Sequence, residues 1–305
     1  MTGQSSAIVS AAPALSHRSG LGWGLVGVTA FSLTVPLTRL AADDGFPALL
    51  IGSGRAVVAA GLAVAVLLLT RQARPSRRQW ARIAVVAAGV VAGFPLLTSY
   101  ALVTAPASHG AVVIGLLPAA TAVMAVLGGH ERVPGSFWLF ATLGAVAVVA
   151  FAALQNGGLG ALHGSDLLLF GAVLAAAIGY AEGGLLAREL GAWQTISWAL
   201  VISAPVMFVL ATVSFVRTPP AAGAVAWLAF GYLALVSAYL GFFAWYRGLA
   251  VGPMARVSQV QLVQPVLSIG WATLLLGEDL TWTTVLGGLA VIGCAGFAVR
   301  ARLAG

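Results

Sequence analysis

Lysine is missing from the whole 305-residue chain, so all 15 basic residues are arginine. That absence excludes P-loop phosphate binding, Schiff-base chemistry and Ser-Lys dyads, each of which needs an amine at a fixed place. Charge of either sign is scarce, at 8% of residues, where a soluble domain carries about 25%. The single cysteine, Cys294, lies in an apolar run. It excludes an intrachain disulfide, and one thiol without clustered histidines is no metal site. There is no HExxH, no pair of membrane aspartates and no Ser-His-acid set. No catalytic residue, metal or cofactor is therefore expected, and without a nucleotide-binding motif ATP is not the driver.

What is present is hydrophobic. Apolar residues make up 60% of the chain and the mean hydropathy is +1.01, spread nearly end to end. Such a chain must find a solvent of lipid tails and other helices, which makes it an all-α integral membrane protein. A bilayer core about 30 Å thick needs roughly 20 apolar residues per helix. The sequence divides into ten such segments, near 21–41, 46–70, 82–104, 107–128, 135–154, 166–187, 192–216, 222–246, 253–276 and 282–299. Short breaks rich in charge, Pro or Gly separate them, such as Asp43-Asp44-Gly45 and Arg74-Pro75-Ser76-Arg77-Arg78. The first segment is too long for a signal core, contains Pro36 and ends at Arg39 without a cleavage pattern. Residues 1–19 are expected to be a short cytoplasmic tail.

Arginine also sets orientation, because Arg-rich short loops stay on the cytoplasmic side. Cytoplasmic termini place twelve arginines, among them Arg71, Arg74, Arg77, Arg78 and Arg82, at cytoplasmic ends. Arg39 and Arg217 then fall outside, and Arg55 lies within the second segment. The formal charge of +7 is thus a topology signal and does not imply nucleic acid. The expected location is the plasma (inner) membrane.

The chain also repeats itself. VIGLLPAATAVMAVLGGHERV at 113–133 and VQLVQPVLSIGWATLLLGEDL at 260–280 place proline and glutamate alike: Pro118 and Pro265 are 147 apart, as are Glu131 and Glu278, and Pro106 and Pro253. That offset maps the fourth segment onto the ninth, so five helices map onto five. Five is odd, so the halves cross the membrane in opposite directions, as in the inverted repeats of many secondary transporters. The expected repeats are 20–155 and 164–301, which puts Glu131 on the cytoplasmic side and Glu278 outside.

These two stretches, with GSFWLFATLGAVAVV after the first and LTWTTVLGGLAVIG closing the second, resemble the paired EamA repeat of the drug/metabolite transporter superfamily. Trp23-Gly24 and Arg55 fit the same pattern, and the resemblance runs from about Gly20 to Val299. Within the superfamily the chain is most similar to bacterial exporters of aromatic and other amino acids. The resemblance implies ten helices, cytoplasmic termini, a cavity lined mainly by helices 1, 3, 4, 6, 8 and 9, and peripheral helices 5 and 10. Nucleotide-sugar carriers of the superfamily use a membrane lysine, which is absent here. The small multidrug exporters carry a glutamate in their first helix, and here it is the sixth that has one, Glu182.

A polar group at membrane depth must face a partner, a cavity or water, so each is a binding candidate. Ser258, Gln261, Gln264 and Ser268 fall on one helix face, and their counterparts at the 147 offset are Ala111, Ile114, Leu117 and Thr121. One cavity wall is thus expected to be hydrogen-bonding and the other apolar, which suits an amphipathic cargo; helix-to-helix bonding is the competing reading. Glu182 is open to carrying a proton, meeting a substrate ammonium, or being paired near Arg188. For Arg55, pairing with helix-end carbonyls or with Glu182 is preferred over binding a carboxylate. His109 at the outer mouth either gates or binds substrate, or sits in wet interface. The stripe Tyr232, Tyr239, Phe243 and Tyr246 reads first as packing or interfacial anchoring, with stacking on an aromatic substrate the alternative. Thr34, Pro36, Thr98, Tyr100, Tyr180 and Ser237 complete the expected lining, with Pro118 and Pro265 as hinges. Ala290, Cys294 and Ala298 form a small-residue ridge suited to close helix contact, so a homodimer through helices 5 and 10 is a possible partner arrangement. The expected partners are membrane lipid and a small-molecule substrate, carried by alternating access; a multidrug or other metabolite exporter is the alternative, and an intramembrane enzyme is disfavoured.

Overall fold

The computed structural model describes residues 17–129, 134–155, 163–252 and 257–304. Among them ten helices are long and apolar enough to cross a membrane. They are α1 (Gly20–Asp43), α2 (Ala48–Leu69), α3 (Arg77–Ala101), α4 (Ala107–Met124), α5 (Gly135–Leu154), α6 (Gly164–Leu190), α7 (Ala192–Arg217), α8 (Ala224–Val251), α9 (Gln259–Leu276) and α10 (Trp282–Ala301). Glu131, Arg132, Pro253 and Arg256 lie outside the described residues.

The chemistry of the surface is that of a protein in lipid. Leu68, Val216, Leu228 and Leu274 are exposed, while Ser53, Thr98, Asp166 and Thr195 are fully buried. Apolar side chains point out and polar ones in, because water is absent on the outside.

Local chemistry explains where helix ends depart from the apolar pattern. The third segment is expected from 82, yet α3 starts at Arg77. Ser76 Oγ accepts from the Gln79 amide while Gln79 Oε1 accepts from the Ser76 amide, a reciprocal cap that starts the helix inside the arginine-rich stretch. α8 runs on past 246 to Val251, with the Arg247 guanidinium lying over the Trp23 ring at 5.8 Å. One residue, Gly191, links α6 to α7 at φ +99°, a conformation that a side chain disfavours.

Each expected hinge lies at an irregular turn. α4 breaks at Gly115 and Leu116, just before Pro118, and α9 begins as a 3₁₀ turn, Gln259–Val263, just before Pro265. Proline removes a backbone donor and loosens the turn before it. The two breaks meet: a Cβ on Gly115 would come within 3.1 Å of Pro265 Cγ. In α1, Leu33 interrupts the helix ahead of Pro36. The carbonyl of Ser32, which a residue-36 amide would have bonded, instead accepts Ser268 Oγ of α9 at 2.7 Å, and Trp271 Nε1 donates to Ser32 Oγ at 3.1 Å. A helix break in one element thus becomes a bond to another.

Two π-helical stretches, Ala87–Gly93 in α3 and Leu233–Leu240 in α8, end 147 residues apart. A wide turn of this kind places an extra residue in the helix and rotates the turns beyond it. Its recurrence at the repeat offset shows the two halves sharing one irregular geometry.

α5 and α10 lie side by side, with Phe137, Ala295, Ala298 and Val299 buried in one cluster. Ala298 is fully buried and a Cβ on Gly144 would lie 3.3 Å from Cys294 Cβ, so much of the small-residue ridge packs within the chain.

Candidate functional site

A narrow cavity with about 30 Å³ of room for water-sized molecules lies near the mid-length of the bundle. Two of its walls are the π-helical stretches. Val90 and Val91 come from one, and Ser237 and Ala238, each 147 residues later, from the other. Both halves therefore present the same turn to the same space.

The apolar lining is aromatic. Phe31 lies 4.9 Å from Phe242 and 6.3 Å from Tyr180, centre to centre, and Phe94 joins the wall from α3. Beyond this layer, toward the face where α1 begins and α10 ends, Trp245 and Tyr246 are fully buried, and Tyr246 donates to the Gly179 carbonyl at 3.3 Å. α1 approaches this layer closely because a Cβ on Gly27 would lie 2.9 Å from the Trp245 amide nitrogen.

The polar lining is sparse. Thr34 Oγ1 and Ser237 Oγ share a hydrogen bond of 2.7 Å between α1 and α8. Gln264 of α9, Tyr180 of α6 and Arg55 of α2 complete it. Arg55 is 2% exposed and its Nε has no hydrogen-bond partner among the described residues. An uncompensated buried charge costs on the order of several kcal/mol, which makes this cation the least satisfied group in the wall.

Of the expected site residues, the fold brings Thr34, Tyr180, Ser237 and Gln264 to the cavity. Two others, Tyr100 and His109, line a separate, open vestibule at the face where α1 ends and α6 begins, together with Thr104 and His163. There His109 Nε2 lies 2.7 Å from Asp166 Oδ1, and Asp166 Oδ2 accepts from the His163 amide. Glu278, at the end of α9, accepts from the amides of Ala107 at 2.6 Å and Ser108 at 2.8 Å, capping the start of α4. Arg39 donates to the carbonyls of Leu102 and Val103 and pairs with Asp43 on the same face.

The remaining candidates lie away from the cavity. Thr98 Oγ1 bonds its own helix at the Phe94 carbonyl, and Pro36 frees the Ser32 carbonyl for Ser268. Tyr239 bonds Ser197 Oγ at 2.8 Å and Tyr232 donates to the Ala30 carbonyl, so the tyrosine stripe ties helices together. Ser258 is buried and bonded. Gln261 is 1% exposed, and neither its amide nitrogen nor its oxygen has a partner among the described residues.

Three expectations change. Glu182 pairs with Arg82 of α3, which also pairs with Glu189, and not with Arg188 or Arg55. Arg55 stands seven residues from the start of α2 and Glu182 eight from the end of α6, and those ends lie on opposite faces. At roughly 1.5 Å per residue the two charges are in different halves of the bundle. The cavity also draws on α2 and α7, through Ala56 and Leu200, and on no described residue of α4. Sequence reasoning passed over Val90, Val91, Phe94 and Phe242; the repeat offset applied to the third and eighth segments was the signal that could have found the paired turns.

Ten membrane helices, matched irregular turns from two halves and a shared central cavity define a membrane carrier built on two repeats. Comparison with known proteins gives the same class. The chain matches the EamA-like transporter family over residues 18–153 and again over 163–299, and it belongs to that family. It is 45% identical over 289 residues to the uncharacterized transporter YdeK of Bacillus subtilis (strain 168), covering 93% of this chain and 99% of that one. A solved crystal structure has the same fold with a TM-score of 0.64 at 18% identity, covering 95% of this chain and 99% of the other. The protein is thus a multi-pass transporter of the EamA/drug-metabolite superfamily, and family and relative point away from an enzyme.

Proposed function

We propose that the protein exports small amphipathic metabolites, amino acids including aromatic ones foremost, across the inner membrane by alternating access. The observation that carries this reading is the pairing of Val90 with Ser237 and of Val91 with Ala238 around one cavity. A site on the axis between two inverted halves is exposed to either side when one half rocks against the other. Phe31, Phe94, Phe242 and Tyr180 supply faces on which an aromatic or aliphatic body packs. Thr34, Ser237 and Gln264 supply neutral hydrogen-bonding groups for its head. Rocking also needs contacts on both faces that can be exchanged. Arg82 with Glu182 and Glu189 joins α3 to α6 on one face, and Glu278 with the start of α4 joins α9 to α4 on the other.

The test is counterflow of radiolabelled amino acids in proteoliposomes containing the purified chain. Saturable flux accelerated by unlabelled substrate on the opposite side is expected. Absence of flux across a panel of amino acids overturns the amino-acid assignment, and linear, unsaturable flux overturns the carrier.

A further inference from the structure

The geometry points to Arg55 as the anchor of the cargo: the recognised head is a carboxylate, and an ammonium on the same molecule is dispensable. This rests on the carrier reading of the central cavity. Arg55 lines that cavity, is buried, and keeps its Nε without a hydrogen-bond partner. The ion pairs of the described residues join Arg39 to Asp43, Arg82 to Glu182 and Glu189, and His109 to Asp166; none reaches Arg55.

A guanidinium offers five donors in a planar fork that matches a carboxylate with two parallel bonds. Its neighbours in the cavity are Tyr180 and the aromatic layer, and no Asp or Glu is among the described lining residues. An incoming carboxylate would therefore meet an uncommitted cation that is itself 2% exposed, where charge-assisted bonds are strong. An ammonium would meet only the neutral oxygens of Thr34, Ser237, Gln264 and Tyr180, with no carboxylate among the described lining residues to pair its charge. The cargo is accordingly an amphipathic organic carboxylate with an aryl or alkyl body, amino acids being those members that also carry an amine.

The test uses the purified full chain and four probes sharing one body: 3-phenylpropionate, 3-phenylpropionamide, 3-phenylpropylamine and phenylalanine. Each is titrated while the thermal unfolding midpoint is followed, since a ligand of the folded state raises it by mass action. We expect 3-phenylpropionate to act at concentrations at least about tenfold below the amide, phenylalanine to act no more tightly than 3-phenylpropionate, and the amine to have no effect. Arg55→Gln removes the preference of carboxylate over amide, and Arg55→Lys keeps part of it. Equal action of carboxylate and amide, no shift with any probe, or a preference that survives Arg55→Gln overturns the assignment. If Arg55→Gln does not fold, the wild-type series decides alone. Phenylalanine counterflow in proteoliposomes separates the two readings. Carboxylate-selective binding without phenylalanine flux leaves the anchor and counts against amino-acid export, whereas saturable flux without carboxylate selectivity keeps the export reading and removes the anchor.

Discussion

His109 and Asp166 are hydrogen-bonded at 2.7 Å between α4 and α6, with 4% and 0% of each residue exposed. The pair sits beside the Glu278 cap, so two carboxylates hold the start of α4 in place at one face of the bundle. Removing one partner of a buried hydrogen bond costs about 1–3 kcal/mol, because the other is left desolvated and unsatisfied. Asp166→Ala is expected to lower the thermal midpoint of the purified protein by an amount of that order, with His109→Gln lowering it less. A midpoint unchanged in Asp166→Ala would show that the contact carries no stability.

Pro36 and Ser268 should be energetically coupled. Ser268→Ala leaves the Ser32 carbonyl buried without its donor, a loss of about 1–3 kcal/mol. Pro36→Ala restores an amide able to bond that same carbonyl. In a double-mutant cycle the combined loss is expected to be smaller than the sum of the two single losses. Strict additivity in reversible unfolding would mean that the two residues act independently.

Gln261 carries an amide whose nitrogen and oxygen are both buried and without a partner among the described residues. Gln261→Leu removes an unsatisfied polar group and should raise stability by about 1–3 kcal/mol. It is also expected to reduce transport, since polar groups at membrane depth are kept for function. A lowered midpoint, or flux identical to that of the wild type, contradicts this trade.

Gly27 lets α1 lie against the backbone of Trp245. Gly27→Val forces the two helices apart at the layer beneath the cavity, with an expected cost of about 1–3 kcal/mol, the range found for overpacked cores. Comparison with Gly22→Ala, where an added Cβ meets nothing within 4 Å, isolates the steric effect. Equal stability of the two variants would remove it.

Inverted repeats place equivalent residues on opposite sides of the membrane. In a Cys294→Ser background, Glu131→Cys and Asp279→Cys are each expected to react with an impermeant maleimide from one side only, and from different sides. The side shared with both termini should be that of Glu131. Labelling of both from the same side removes the inverted arrangement.

The fold was legible because lipid imposes simple rules. Ten apolar stretches of membrane length and a proline-glutamate pattern repeated at 147 residues suffice for the helix number and the two related halves. Helix ends were less legible where capping acted, as at Ser76 and Gln79, which draw α3 into a stretch whose arginines suggest a loop. The cavity was legible only in part. Thr34, Tyr180, Ser237 and Gln264 face it, while Thr98 and Ser268, equally polar and equally deep, are bonded to carbonyls. Thr34 and Ser237 carry the same hydroxyls as Thr98 and Ser268, so composition cannot sort them.

The sequence by itself determined that this protein spans the membrane as a repeated set of helices, because apolar length and the spacing of prolines and acids are one-dimensional facts. Only the tertiary structure decided which polar groups meet in the cavity. Two π-helical stretches rotate the halves of α3 and α8, a proline in α1 redirects a carbonyl toward α9, and Glu182 is taken up by Arg82 across a distance in sequence that no local pattern marks. Arg55 is left facing the cavity for the same reason: a charge is free or paired according to what the other helices bring to it.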